Sequence, residues 1–323
     1  MKAIIYERYG TPEVMKYTEV KKPVAKDDEL LVKIKASSLN MADSILLNGK
    51  PFVVRMMGNG IVKPKHRILG ADFAGIIEAV GKDVIGYKVG EEVFGESVAY
   101  GFGSFSEYVC VPANAIAKKP DNISFEEAAS LPVSAVTALK TVYEKATIKK
   151  GDRVLVNGAS GCVGNYVVQM LKLEGAIVTG TCSKEKMAMV KELGADSVID
   201  YRAEDFTKNG EKYDYIMDTA IYRPIGEYEN SLTTEGLHVV IGGNLPRLFK
   251  TMFARAFMKK VKKDKLIILN FKPNHEDFER LATMTRNGSI RSVVGRTFPL
   301  KDTREAMEFF ESKKACGKVV ITM

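Results

Sequence analysis

The sequence predicts an α/β protein of two domains, one a doubly wound parallel sheet and the other a small, partly open β barrel. Three observations carry this reading. The first 120 or so residues are short β segments joined by glycine-rich or polar connections. From Gly151 onward strands alternate with helices, the pattern of a parallel sheet covered on both faces. Finally, the turn Gly158-Ala159-Ser160-Gly161-Cys162-Val163-Gly164 joins an apolar strand, Arg153 to Asn157, directly to an amphipathic helix from about Val163 to Glu174.

In chain order, barrel strands are expected at Lys2 to Glu7, Leu30 to Ser37, Phe73 to Val80, Glu92 to Phe94 and Ser106 to Val111. Asn40 is placed to cap a short helix, Met41 to Leu47, that ends at Asn48-Gly49. Ser124 and Glu127 have the spacing of a capping box; the helix they open is interrupted at Pro132 and resumes through about Lys145. After the glycine turn, Ile177 to Thr181 is the second strand of the sheet. A helix from Lys184 to Leu193 is stopped by Gly194, and strands follow at Ser197 to Asp200, Tyr213 to Asp218 and Leu237 to Ile241. Lys265 to Asn270 reads as an edge strand, of the kind that pairs across a dimer axis, so a homodimer is expected. The chain then returns to the barrel with a helix at Glu276 to Asn287, a strand at Ile290 to Phe298, a helix at Thr303 to Ser312 and a last strand at Gly317 to Thr322. The expected division is 1–122 with 274–323 for the barrel domain and 123–273 for the sheet domain.

Composition excludes several classes. With 46% hydrophobic and 27% charged residues, the chain is neither disordered nor membrane-spanning, and no apolar run reaches the roughly 18 residues a span requires. The first residues, Met1 to Tyr6, read as a strand and not as an export signal, which makes the cytoplasm the expected location. Cys110, Cys162, Cys182 and Cys316 are too far apart for a metal-type pair and are expected to be free thiols. The net charge of +8 is concentrated in two runs. One, 247–265, holds eight basic residues against Asp264; the other, 50–67, has five and no acid. Neither carries a recognised nucleic-acid motif with aromatics interleaved for stacking, so nucleic acid is not an expected partner. Solvation, steering of an anionic ligand and weak contact of 247–265 with an anionic membrane surface all stay open.

The glycine turn has the setting of a dinucleotide-phosphate loop. A residue without a side chain at Gly161 lets backbone approach a diphosphate, which then faces the unpaired amides of a helix N-terminus. Ser160, Gly161, Cys162, Val163 and Gly164 are the expected contacts. About 20 residues further on, an NAD-selective protein presents a carboxylate to the ribose hydroxyls. Here Ser183 stands instead, with Lys186 one helical turn onward and Tyr201 after the third strand, so a hydroxyl, an ammonium and a phenol are available to a 2′-phosphate. NADPH is therefore the expected cofactor.

The order of landmarks resembles the zinc-independent quinone oxidoreductase family of the medium-chain dehydrogenase/reductase superfamily. The residues that carry the likeness are Asn40-Met41-Ala42-Asp43, Leu69 to Gly75, Val80-Gly81, Gly90 to Gly95, Phe105 to Tyr108, Leu131-Pro132, Leu193 to Asp196 and Gly317 to Val320. The long insert before Leu69 and the Cys182-Ser183 pair are most similar to the subgroup of the reticulon-interacting mitochondrial protein. The resemblance implies a GroES-like barrel beside a Rossmann sheet. It also implies hydride transfer from NADPH to a quinone or an α,β-unsaturated carbonyl, without flavin. Zinc-dependent members carry a cysteine near the helix that begins here at Asn40 and a His-Glu pair where this chain has Ala71-Asp72, so no metal site is expected. By the same likeness Asn40 and Asp43 line the catalytic pocket, Asn40 as an amide donor and Asp43 as its orienting partner. Thr137, Ile241, Gly242 and Phe271 approach the nicotinamide, and Lys318 approaches the phosphates or the pocket rim. Two alternatives stand beside this: reduction of an enoyl thioester, and a catalytically weak NADPH-binding sensor or membrane-associated protein.

Overall fold

The computed structural model describes residues 1–243, 247–248, 257, 265–268 and 273–323. The chain forms two compact units, Met1–Val136 with Pro273–Met323, and Thr137–Lys272.

The first unit opens with a two-stranded antiparallel ribbon, β1 (Lys2–Ile5) and β2 (Lys16–Glu19). Its main sheet contains β3 (Glu29–Ser38), β4 (Asp72–Val80), β5 (Glu92–Glu96), β6 (Tyr108–Pro112) and β7 (Ile116–Lys118), joined by β14 (Val294–Pro299) and β15 (Lys318–Thr322). The order is β14-β15-β3-β4-β5-β7, with β6 also on β3. The long strand β3 makes this possible: Glu29 to Lys33 pairs with β6, while Ala36 to Ser38 pairs with β15. Leu30, Val32 and Ile34 point with Phe73, Ile77, Val93, Val109 and Ile116 into one apolar core. The helices of this unit are α1 (Met41–Asn48), α2 (Phe125–Ala129), the start of α3 (Pro132–Lys140), α7 (His275–Arg286) and α8 (Thr303–Glu311). The expected boundary lay between 122 and 123. The first unit instead takes in α2, because α2 packs on β3, β4 and β5. The capping box opening α2 is formed: Glu127 accepts from the Ser124 amide at 2.8 Å and returns its own amide to the Ser124 hydroxyl at 3.1 Å.

The second unit is a six-stranded, wholly parallel sheet: β8 (Arg153–Asn157), β9 (Ile177–Cys182), β10 (Ser197–Asp200), β11 (Tyr213–Asp218), β12 (Leu232–Val240) and β13 (Leu266–Ile268). The order β10-β9-β8-β11-β12-β13 reverses direction between β8 and β11, which makes the sheet doubly wound. Helices α4 (Gly164–Leu173), α5 (Met187–Glu192) and α6 (Ile225–Glu229) belong to it. The expected helix from Lys184 begins as a 3-10 turn, Lys184–Lys186, before α5. Two short strands, β2 and β7, were not expected; the first is a mostly exposed Lys-Tyr-Thr-Glu segment with no apolar alternation to announce it.

Candidate functional site

In the second unit the chain leaves β8 at Asn157, turns through Gly158 at φ 87° and enters α4 after Val163. The turn is closed by the Gly161 amide on the Gly158 carbonyl at 3.0 Å. The two later glycines do different work. A Cβ at Gly164 would lie 2.2 Å from the Gly158 carbonyl oxygen, so this position is empty because the helix abuts the strand end. A Cβ at Gly161 would meet the Gly158 carbonyl oxygen at 3.3 Å, a close contact that a small shift relieves, so folding alone does not demand a bare position there. Ser160, Cys162 and Val163 fill the same turn.

Beneath this loop a row of hydrogen bonds crosses four strands. His238 of β12 meets Asp218 of β11 at 3.1 Å, and Asn157 of β8 donates to Asp218 at 2.7 Å. Thr181 of β9 then donates to Asn157 at 2.8 Å and accepts from the Gly158 amide at 3.1 Å. Burial works against the Asp218 charge, but hydrogen bonds from His238 and from the Ile221 and Ala220 amides hold its carboxyl below the usual range. The row fixes the ends of β8, β9, β11 and β12 in one plane. Ile241 continues it, its amide on the Asp218 carbonyl at 2.9 Å. Gly242 follows in the turn, and Gly243 (φ 117°) lies where a Cβ would strike the Ala220 carbonyl at 2.4 Å.

The register of β9 and β10 pairs Cys182 with Asp200, and so brings Ser183 and Tyr201 side by side at adjacent strand ends. Ser183 begins the 3-10 turn that carries Lys186. Two neighbours escaped the sequence reading. Arg202 lies over the Tyr201 ring, 5.6 Å to its centroid, and Glu185 bonds to Arg202 at 3.2 Å. Glu185's own amide, then Ser183 and Arg202, hold its carboxyl below the usual range. Position 183 lacks an acid as expected from the sequence, but Glu185 and Asp200, which accepts the Arg202 amide at 3.1 Å, bring carboxylates to the corner beside Lys184, Lys186 and Arg202. Thr137 lies buried on α3, and Phe271 lies outside the described residues, as does most of the basic run 247–265.

In the first unit the polar residues gather on Asp72, at the start of β4. Its Oδ2 accepts from Ser38 at 2.9 Å, Asn40 at 2.9 Å and the Lys318 ammonium at 3.0 Å, while its Oδ1 accepts from the Val133 amide at 2.9 Å. Lys318, expected at a cofactor phosphate or the pocket rim, is instead fully buried here. Its other two bonds go to Asn40 at 2.8 Å and Ser134 at 3.2 Å. One carboxylate therefore ties β3, the start of α1, the start of α3 and β15 to β4. Asn40 is the N-cap of α1 in a capping box with Asp43, and its carboxamide also meets Asp72 and Lys318; its contact to the Ser38 carbonyl is 3.5 Å long. Asp43 has no solvent exposure: its oxygens accept the Asn40 amide at 2.8 Å and the Gly70 amide at 3.0 Å. It sets the backbone of Asn40.

The donor set at this point does not suit zinc. The Asp72 oxygens face four donors, one of them an ammonium, and neither thiolate nor imidazole joins them. Among the described residues no cluster of three or more His, Cys, Asp or Glu could hold a metal ion.

Burial, joined by the nearby Asp72 charge and opposed by its two amide donors, pushes the Asp43 carboxyl up to about 7. Burial and then Asp72 push Glu96, the last residue of β5, up to about 8. Both groups hold protons in the folded chain that they release when it unfolds, so stability is greatest at the acid side of this window and falls as pH rises through it. Most carboxyls with lowered values, Asp218 among them, titrate below it. Unfolding free energies from urea titration, and with them the midpoints, are expected to drop between about pH 5 and 8, the free energy by about 1.4 kcal/mol per pH unit for each group still protonated only when folded. Flat midpoints across that range would contradict the assignment.

A bent barrel sheet and a doubly wound sheet with a glycine turn after its first strand define the medium-chain dehydrogenase/reductase fold. Residues 26–121 match the family model of the alcohol dehydrogenase GroES-like domain and residues 193–321 that of zinc-binding dehydrogenases. The chain is 30% identical to the chloroplast envelope quinone oxidoreductase homolog of Arabidopsis thaliana, over 99% of this chain and 98% of that one. It is 33% identical to 2-methylene-furan-3-one reductase of Solanum lycopersicum, over 99% and 79%. The solved structure of the quinone oxidoreductase from Coxiella burnetii, 29% identical, matches with a TM-score of 0.88 over 100% of this chain and 99% of that one. The chain belongs to the quinone oxidoreductase family of oxidoreductases.

Proposed function

We propose that the protein is an NADPH-dependent, metal-independent reductase of a quinone or an α,β-unsaturated carbonyl. The observation that carries this reading is the cofactor corner, where Ser183 and Tyr201 meet at adjacent strand ends with Lys186 and Arg202 beside them. The Gly158 to Gly164 turn offers room for a diphosphate at Gly161. When bound, the reduced nicotinamide supplies a hydride. Delocalised acceptors suit a site without a metal, since an enolate or hydroquinone anion needs less stabilisation than an alkoxide. Asn40 is the donor best placed for a substrate oxygen: Asp43 fixes its backbone, Lys318 orients its carboxamide, and the long contact to Ser38 leaves one amide hydrogen weakly held. Names of relatives support the acceptor class, among them an NADPH-dependent alkenal/one oxidoreductase of Arabidopsis thaliana, 30% identical. A cytoplasmic homodimer paired along the β13 edge completes the reading.

Lys186→Ala is expected to weaken NADPH about tenfold or more, by loss of one charge-assisted contact to phosphate, and to leave NADH nearly unchanged. Fluorescence titration of both cofactors against both proteins measures this; equal losses would remove Lys186 from a phosphate site. Turnover is read from consumption of the reduced cofactor over a quinone and enone panel, with and without chelator. Chelator-sensitive activity would overturn the metal-free reading.

A further inference from the structure

Glu96 closes β5 directly opposite Asp72 in the antiparallel register, so both carboxyls stand on the same face of the sheet. Its side chain is 6% exposed and makes no hydrogen bond or ion pair with any described residue. The other groups of the cluster are committed. Asp72 accepts from four donors and Asp43 from two amides, while all three hydrogens of the Lys318 ammonium have acceptors. Asn40 has hydrogens to share but none acidic enough to transfer. Glu96 is thus the one acid here whose proton is not tied to the fold.

We propose that Glu96 is the general acid of the reduction. This rests on the reductase reading above. Hydride addition breaks the acceptor's π bond and leaves an enolate or a hydroquinone anion. The Glu96 O–H bond then breaks, and its proton completes the neutral ketone or hydroquinone. The cofactor is oxidised and the acceptor reduced by two electrons, and the Glu96 carboxylate regains a proton from water.

Burial in a site with no cation at hand keeps this carboxyl protonated at neutral pH. The groups facing it are few. Asp72 comes from β4, its charge paired with the Lys318 ammonium at 3.0 Å. Lys118 of β7 pairs with Val93 and so stands on the other face of the sheet, its ammonium on Glu91 at 2.6 Å. Asp72 is the one that acts on the Glu96 charge, and it favours the protonated form.

The test compares wild type, Glu96→Gln and Glu96→Asp in the full-length protein with NADPH and a soluble enone, reading kcat against pH, NADPH affinity and thermal midpoint. Wild-type kcat is expected to fall above about pH 8 as the acid is lost. Glu96→Gln should lose about 100-fold in kcat, the typical worth of a general acid, and show no alkaline limb, with NADPH affinity unchanged. Glu96→Asp should restore part of the rate together with the limb. A Gln variant that keeps wild-type kcat and the same limb overturns the proposal while leaving the reductase reading intact. Should the Gln variant fail to fold, a Glu96→Asp variant without the limb overturns it as well. If wild type binds NADPH but reduces no quinone or enone, the reading and the role of Glu96 fall together.

Discussion

Replacing Lys318 by methionine is expected to cost the barrel domain about 3–5 kcal/mol, the penalty of leaving a buried charge without its partner. Asp72 and Lys318 are both without solvent exposure, 3.0 Å apart. With the ammonium gone, Asp72 keeps only the Ser38 hydroxyl and the Asn40 and Val133 amide hydrogens, and the Asn40 carbonyl oxygen loses its donor. Removing both charges should be far milder: Asp72→Asn with Lys318→Met leaves a neutral amide that Ser38 and Asn40 can still engage. The pair is therefore expected to show a coupling energy of more than about 1 kcal/mol in a double-mutant cycle read from urea midpoints. Additive losses would mean that the four elements meeting at Asp72 are held by packing alone. The same variant probes chemistry, since Lys318 orients Asn40: a Lys318→Met protein that stays folded yet loses turnover separates the two roles.

This knot also shows what a single sequence can and cannot reveal. The glycine turn, the strands at Arg153 to Asn157 and Ser197 to Asp200, and the capping box at Ser124 were legible because each is a local pattern, complete within a few residues. Asp72 and Lys318 are 246 positions apart, and nothing in the spacing of either announces the other. The resemblance put Lys318 at the phosphates or the pocket rim, whereas here it is fully buried against Asp72, Asn40 and Ser134. Asn40 was legible only in part, for a related reason. The helix it precedes and its capping box are where the sequence puts them, but the charge pair brought to its carboxamide from β4 and β15 by sheet register had no local signal. Ser183 and Tyr201 could be paired from sequence, because parallel neighbours joined by one helix align their ends. Glu185 and Arg202 needed the side-chain directions. Glu96 had no signal except its place after Val93-Phe94-Gly95, where an acid ends an otherwise apolar strand; its meaning depends on Asp72 standing opposite.

Gly161 and Gly164 should respond to alanine in opposite ways, and the difference isolates ligand binding from folding. At Gly164 the new methyl would sit 2.2 Å from the Gly158 carbonyl oxygen and 2.9 Å from the Ala159 Cα, both backbone atoms that cannot rotate away. Strand β8 and helix α4 must then separate. Overpacking of this kind costs about 1–3 kcal/mol, and the displaced loop should also lose the nicotinamide dinucleotide. At Gly161 the methyl would stand 3.3 Å from its nearest protein atom, a contact that a small adjustment relieves, and φ there is not left-handed. The thermal midpoint of Gly161→Ala should therefore stay within a few degrees of wild type while NADPH affinity falls by about 100-fold or more, because the methyl occupies the space through which backbone approaches the diphosphate. Calorimetric titration beside a melting curve decides the matter. If Gly161→Ala binds NADPH as wild type does, the turn is only a tight strand-to-helix junction, and the cofactor reading loses its foundation.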